Sequence, residues 1–249
     1  MQIYSTSQMG TFHLHHNEDH FCVAPIGRDR HLVALMDVCS MGLESYFAAT
    51  LFAKLLRKIA RHQYHLEFRL ATVRPLEQLL ADVLATLFDD LRQLQNHCAL
   101  NTEELLCTLL LGLLDQPTRQ AHLCIIGDGL VVCDGEVWDF DQDDRPDYLA
   151  YHLRTPFDEW YRGQRRLRFS AIRDLGFATD GIFTFRPFDN RDYPPRSTEA
   201  ILHHLLLQVP PRTAGPDFLR QQVHALEADY GLRASDDLPL LRILFPKPT

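Results

Sequence analysis

The hydrophobic period of this chain switches in long blocks between two residues and about 3.6, and that order restricts the fold more than any single motif does. The block up to Asp37 is strand-like. It holds a Thr/Ser-rich segment around Tyr4, then HFCVAPIG from His20 and HLVALMDV from His31, the last two joined at Gly27-Arg28-Asp29 into a hairpin. From Glu44 the apolar residues recur at helical spacing, with Phe47, Leu51, Leu55 and Ile59 on one face. Lys54, Arg57, Lys58 and Arg61 fall on the solvated side of the same helix. A second helix follows Pro75 and carries Leu76, Leu80, Leu84, Leu87 and Leu91.

Strand-like runs return after Asn101-Thr102-Glu103. They are LLCTLLLGLLD, AHLCIIGDGLVVC, a turn at Asp134-Gly135, and EVWDF. A charged, aromatic-rich insert over 141–166 reads as mostly irregular, a flap or docking surface beside whatever site the strands build. LRFSAI and LGFATDGIFTF then read as strands, EAILHHLLLQ and DFLRQQVHALEADY as helices, and DLPLLRILF as a closing strand. Groups of strands interleaved with pairs of helices predict an α+β layered fold with antiparallel sheets rather than alternating βαβ units. With no repeat and no Gly/Ser linker, the expectation is a single domain over 1–249.

Composition narrows the function. Against 33 acidic residues stand 25 Lys and Arg, a formal charge of −8, and 46% of the 249 residues are hydrophobic. That is enough apolar material for a sizeable core and the wrong balance for a nucleic-acid surface. The N-terminus has no basic segment followed by an apolar run, and no stretch approaches the ~18 apolar residues of a membrane span. The expected location is the cytoplasm, without membrane or nucleic-acid partners. Cys22, Cys39, Cys98, Cys107, Cys124 and Cys133 lack Cys-x-x-Cys spacing, and most lie in apolar runs, which fits reduced buried thiols.

The chemistry lies in aspartates placed at the ends of apolar strands. Asp37 ends LVALMD, Asp128 follows HLCIIG, Asp180 follows LGFAT, and Asp236-Asp237 precede the last strand. A carboxylate beside a core must turn to solvent or meet a cation. Each Asp-Gly pair is also an ordinary turn signal, and only convergence of several would make an oxygen-rich site suited to Mg²⁺ or Mn²⁺. In HLHHNEDH, strand alternation would place His13 and His15 on one face and His16 and His20 on the other, dividing the histidines.

The ordered series Asn17-Glu18-Asp19, Asp37 with its small-residue turn, Ile126-Gly127-Asp128-Gly129, Ala178-Thr179-Asp180-Gly181 and Ser235-Asp236-Asp237 resembles the metal-dependent protein phosphatases of type 2C, from Gly10 to Phe245. The resemblance implies a four-layer α-β-β-α sandwich of two mainly antiparallel sheets flanked by helix pairs. It implies a hydrolase that removes phosphate from Ser or Thr of a phosphorylated protein substrate, using two Mn²⁺ or Mg²⁺ ions with room for a third. Catalytic Asp37, Asp180 and Asp236 would hold the metals together with the Val38 carbonyl, with Glu18 and Asp19 acting through waters and Asp128 holding the third ion. His13, His15 and His16 would contact substrate. Family members carry a phosphate-binding arginine where this chain has Leu14, which leaves those histidines, Arg28 or Arg30 as stand-ins. Val38 also replaces a glycine, and Asp237 replaces an asparagine and adds charge. The rival class implied by these departures is a degenerate, non-catalytic member that binds a phosphorylated partner or an effector. Substrate identity and oligomeric state are open at this level.

Overall fold

The structure, a computed structural model, describes residues 1–39, 44–142, 145–188, 193–211 and 213–245. The chain runs β1 (Gln2–Gln8), β2 (His20–Gly27), β3 (Arg30–Met36), α1 (Ala48–Leu70), α2 (Leu76–Cys98), β4 (Leu109–Asp115), β5 (Gln120–Ile126), β6 (Leu130–Cys133) and β7 (Glu136–Asp139). It continues through α3 (Phe157–Gly163), β8 (Arg165–Phe169), β9 (Asp174–Ala178), β10 (Phe185–Pro187), α4 (Thr198–Leu202), α5 (Phe218–Tyr230), β11 (Leu232–Ala234) and β12 (Leu238–Leu244). One sheet has the order β2-β3-β4-β5-β8 and the other β1-β12-β9-β6-β7, with every pairing antiparallel, and β10-β11 forms a small ribbon.

Three apolar layers hold the stack together. Phe52, Leu56, Leu80, Leu84 and Phe88 of α1 and α2 pack on the outer face of the first sheet, with Leu32, Ala34 and Leu111. Val33, Leu35, Leu110, Leu123, Phe177, Leu241 and Ile243 fill the space between the sheets. Ile201, Leu205, Leu219, Val223 and Leu226 cover the outer face of the second sheet. Successive residues of β3 and of β12 serve different layers, so each strand is buried on both faces. This is why HLVALM and LPLLRIL read as continuous apolar runs rather than alternating ones. The result is the expected α-β-β-α sandwich, and each fully buried aliphatic or aromatic side chain contributes roughly 1.5–3 kcal/mol to it.

Several boundaries differ from the sequence reading. The first α-helix opens at Ala48 after a 3₁₀ turn over Ser45–Phe47, and its buried face is centred on Phe52, Leu55, Leu56 and Ile59, with Leu51 at the margin. The insert over 141–166 is not mostly irregular. It holds a 3₁₀ turn at Leu149–His152, α3 and the start of β8, because Trp160 and Phe157 pack on Phe88 of α2 at ring distances of 5.3 and 5.9 Å. LGFATDGIFTF breaks after Ala178 into a 3₁₀ turn over Asp180–Phe183, and EAILHHLLLQ passes from α4 into a π turn over His203–Leu207. The cysteines are free; Cys22, Cys107, Cys124 and Cys133 are buried, Cys39 is half-buried and Cys98 exposed. Among the described residues no helix is long and apolar enough to cross a membrane.

Arg242 is the largest fully buried side chain, a charge in the middle of β12. Its Nε and Nη2 donate to the two carboxylate oxygens of Asp174 at 3.0 and 2.6 Å, and Nη1 donates to the Gln208 carbonyl at 2.7 Å. The bidentate geometry and the third acceptor offset the desolvation of the guanidinium.

Candidate functional site

Strand register brings the acidic positions to one edge of both sheets. His20 pairs with Met36, so Glu18 and Asp19, ahead of β2, lie beside Asp37 at the end of β3. Leu240 and Leu130 both pair with Ala178, which sets Asp236 and Asp237, ahead of β12, next to Asp180. The link from β5 to β6 crosses between the sheets at the same edge and carries Asp128. Each of these residues stands immediately outside a strand, where the chain must leave the ladder.

Asp37 forms carboxyl hydrogen bonds with both Asp19 and Asp180. Burial raises the Asp19 carboxyl well above the usual carboxylate range, its bond to Asp37 opposes this, and the charges of Asp237, Asp236 and Asp180 add to the rise. Burial raises Asp37 likewise, reinforced by Asp19 and Asp180. Uncharged donors hold these acids in place. Asp19 accepts from the Thr179 hydroxyl at 3.2 Å and from the Val38 backbone N–H at 3.4 Å, while the Asp37 carbonyl accepts from the Thr108 N–H at 2.7 Å. Val38 does not take positive φ; it bridges to Cys107, so the β-branched side chain stands where a glycine was expected without backbone strain. The rest of that turn, residues 40–43, lies outside the described residues.

Asp236 and Asp237 have different surroundings. The buried Asp237 carboxylate accepts from the backbone N–H of Gly10 at 2.7 Å and from that of Glu18, tying the β1–β2 loop to the start of β12. Its added charge is thus absorbed by two amide donors, and its role here is to position Glu18. Asp236, more exposed, takes a contact from His13 Nε2 at 3.0 Å, and its N–H donates to the Thr184 hydroxyl at 3.1 Å. Two glycines make this close approach possible. A Cβ on Gly10 would lie 2.3 Å from the Asp236 carbonyl carbon, and one on Gly181 would lie 2.0 Å from the Asp237 carbonyl oxygen.

The histidine-rich segment is a loop, not a strand, and only His20 enters β2. Strand alternation therefore does not divide these histidines into two faces. His13 turns inward, with Nδ1 3.8 Å from Glu18 Oε1 and 3.6 Å from Asp237 Oδ2. His15 and His16 are exposed, His16 stacked on Tyr46 with ring centroids 5.1 Å apart. With Phe12, Leu14, Glu18 and Asp236, the three histidines line a cavity of about 500 Å³. Leu14 is 81% exposed. Arg28 and Arg30 do not reach the site. Both sit at the far end of β3, about 23 Å from Asp37 at ~3.3 Å per residue, and Arg30 is bound to Asp115 at 2.9 Å.

Asp128 lines a second cavity of about 320 Å³ with Asp180, Thr184, Asp139 and Asp141. Asp139 and Asp141 were not anticipated, although an Asp-x-Asp pair leaving a strand on one face is legible in EVWDFDQ. Thr179, Thr184 and Gly10 were also missed, since a threonine or glycine beside an aspartate carries no pattern of its own.

Among the described residues no three His, Cys, Asp or Glu side chains stand in the arrangement of a metal cage. The donor chemistry nevertheless fits a hard divalent cation. The converging ligands are carboxylates, the Asp19–Asp37 pair is charge-repelled and shares hydrogen bonds among acids, and Glu18 Oε2 is buried with no hydrogen-bond partner.

The protein phosphatase 2C family profile matches residues 10–222, so the chain belongs to that family. Solved structures share the fold at low identity. Stp1, a serine/threonine phosphatase from Staphylococcus aureus, is 14% identical with a TM-score of 0.62, covering 99% of this chain and 96% of Stp1. The RsbU and RsbW domains of Rv1364c from Mycobacterium tuberculosis are 18% identical with a TM-score of 0.58; the match covers 99% of this chain and 60% of that longer one. RsbX, solved in complex with magnesium, is 11% identical with a TM-score of 0.54, covering 97% of this chain and 94% of RsbX. No curated protein matches the chain by sequence comparison.

Proposed function

We propose that this chain is a metal-dependent phosphatase that hydrolyses phosphoserine or phosphothreonine monoesters of a protein substrate, working as one domain in the cytoplasm. The observation that carries the reading is the oxygen-only cluster of Asp19, Asp37 and Asp180, whose mutual repulsion calls for cationic charge. Family membership and the magnesium complex of RsbX support it.

Asp37, Asp180 and Asp236, with Asp19, Glu18 and the Val38 carbonyl, would hold two Mn²⁺ or Mg²⁺ ions, and Asp128 a third. Bound there, the ions supply Lewis-acid activation of water and neutralise charge developing on the phosphoryl oxygens. The chain's own groups do the positioning. Thr179 and the Val38 amide fix the Asp19 carboxylate, Thr184 fixes the backbone of Asp236, and Asp237 holds Glu18 at the rim. His13, beside Asp236 and Glu18, is placed to hold a proton at a ring nitrogen for transfer to a leaving alkoxide. The open cavity around it suits a side chain presented by another protein.

The test is turnover of a chromogenic phosphomonoester and a phosphothreonine peptide by the purified protein with Mn²⁺. Turnover should vanish in EDTA and in Asp180→Asn. Absence of metal-dependent turnover by the unaltered protein, with metal bound, would favour the second reading, a non-catalytic phosphopartner-binding member. One observation favours that alternative: Leu14 points into solvent where a phosphate-binding arginine was expected.

A further inference from the structure

A phosphate dianion approaching this edge meets Glu18, Asp19, Asp37, Asp180 and Asp236, so a cationic donor at the cavity rim would add to the attraction that bound metal supplies. Arg28 and Arg30 are excluded by their distance along β3. Among the described residues, Arg186 is the arginine with a contact to a cavity-lining side chain: its guanidinium lies 5.9 Å from the ring centroid of Phe12.

The backbone explains this placement. Arg186 pairs with Arg233 across the β10–β11 ribbon, which ends at Ala234, and the chain bends at Ser235 and Asp236 before β12. The Ser235 N–H donates to the Thr184 carbonyl at 3.1 Å, and Phe12 donates its N–H to the Ser235 carbonyl at 2.9 Å. Three backbone segments, 10–12, 233–236 and 184–186, are thus laced together, carrying Phe12, Asp236 and Arg186 respectively. Arg186 is exposed, and no described carboxylate pairs with it; Arg233 beside it is bound to Glu227 at 3.2 Å.

We propose that Arg186 binds the substrate phosphate, entering from β10 to do what Leu14 cannot, with Phe12 holding its guanidinium plane over the cavity. A planar fork donates to two phosphate oxygens at once, and the aromatic face restricts the side chain to the rim. The proposal rests on the phosphatase reading and deepens it by naming the phosphate-recognising residue.

The test uses the full chain, unaltered and as Arg186→Met and Arg186→Lys. Inorganic phosphate binding is followed by calorimetry with Mn²⁺ present, and KM and kcat with a chromogenic phosphomonoester. Arg186→Met should weaken phosphate binding and raise KM by about tenfold or more, the scale of a lost charge-assisted pair, with a smaller change in kcat. Arg186→Lys should recover part of the loss, and melting temperature and Mn²⁺ affinity should match the unaltered protein. Equal phosphate affinity in the unaltered protein and Arg186→Met, or no phosphate binding by the unaltered protein, would overturn the assignment. Failure of the phosphatase reading itself appears differently, as phosphate binding that depends on Arg186 with no turnover.

Discussion

Asp37→Asn is expected to lower metal-dependent turnover by about a thousandfold or more and, in EDTA, to raise the melting temperature. The two effects share one cause. Half-buried Asp37 meets buried Asp19 and half-buried Asp180, where desolvation and like charge hold its carboxyl and that of Asp19 above the ordinary range. A group whose pKa is higher in the folded state than in the unfolded chain gives its full stabilisation below the unfolded value, about 3.8, and loses it as pH rises through the folded value. The metal-free protein should therefore lose stability as pH rises above about 3.8 through the raised folded-state values. The neutral amide removes one of the ionising groups, so the variant should gain about 2–4 °C at pH 8, the shift that ~1 kcal/mol produces in a chain of this size. Its pH dependence should flatten. A structural role for Asp37 predicts the reverse, a lower melting temperature at every pH. Scanning thermal unfolding in EDTA from pH 6 to 8, for both proteins, separates the two. The loss of turnover reflects the removal of a ligand whose charge the metals require.

Asp174→Ala should cost ~3–5 kcal/mol of folding stability, the largest single effect expected outside the site, because it leaves the guanidinium of Arg242 buried without its carboxylate. The Gln208 carbonyl alone cannot replace a bidentate partner. Asp174→Ala combined with Arg242→Met should recover most of the loss, since an apolar side chain in that space needs no counter-charge. Urea unfolding of the two variants reads this directly, and the double variant being no better than the single one would refute it. Asp174 opens β9 and Asp180 follows its end, ~20 Å away at ~3.3 Å per residue, so metal affinity should not change.

The sandwich was legible because its strands are buried on both faces or in adjacent layers, which writes uninterrupted apolar runs into HLVALM and LLLGLLD. Its helix α2 announces itself through Leu76, Leu80, Leu84, Leu87 and Leu91, all buried. The 141–166 insert was misread because Phe157 and Trp160 order it by packing on α2, a tertiary contact that leaves no local period. At the site, Asp37, Asp180 and Asp236 were legible as acids that end or precede apolar strands. The histidine loop was not, since its geometry is imposed from outside, by Asp237 accepting the amides of Gly10 and Glu18. Arg186 was hidden for a related reason: nothing in GIFTFRPF reveals that the ribbon with Leu232–Ala234 turns it toward Phe12.

The central claim is that the clustered carboxylates form a cation centre. It is tested most directly by calorimetric titration of Mn²⁺ into the chelator-stripped protein at pH 7.5, with Asp37→Asn and Asp180→Asn alongside. Saturable binding of at least one ion by the unaltered protein is expected, with its loss or steep weakening in both variants. Binding that is absent, or that persists undiminished in both variants, would contradict it.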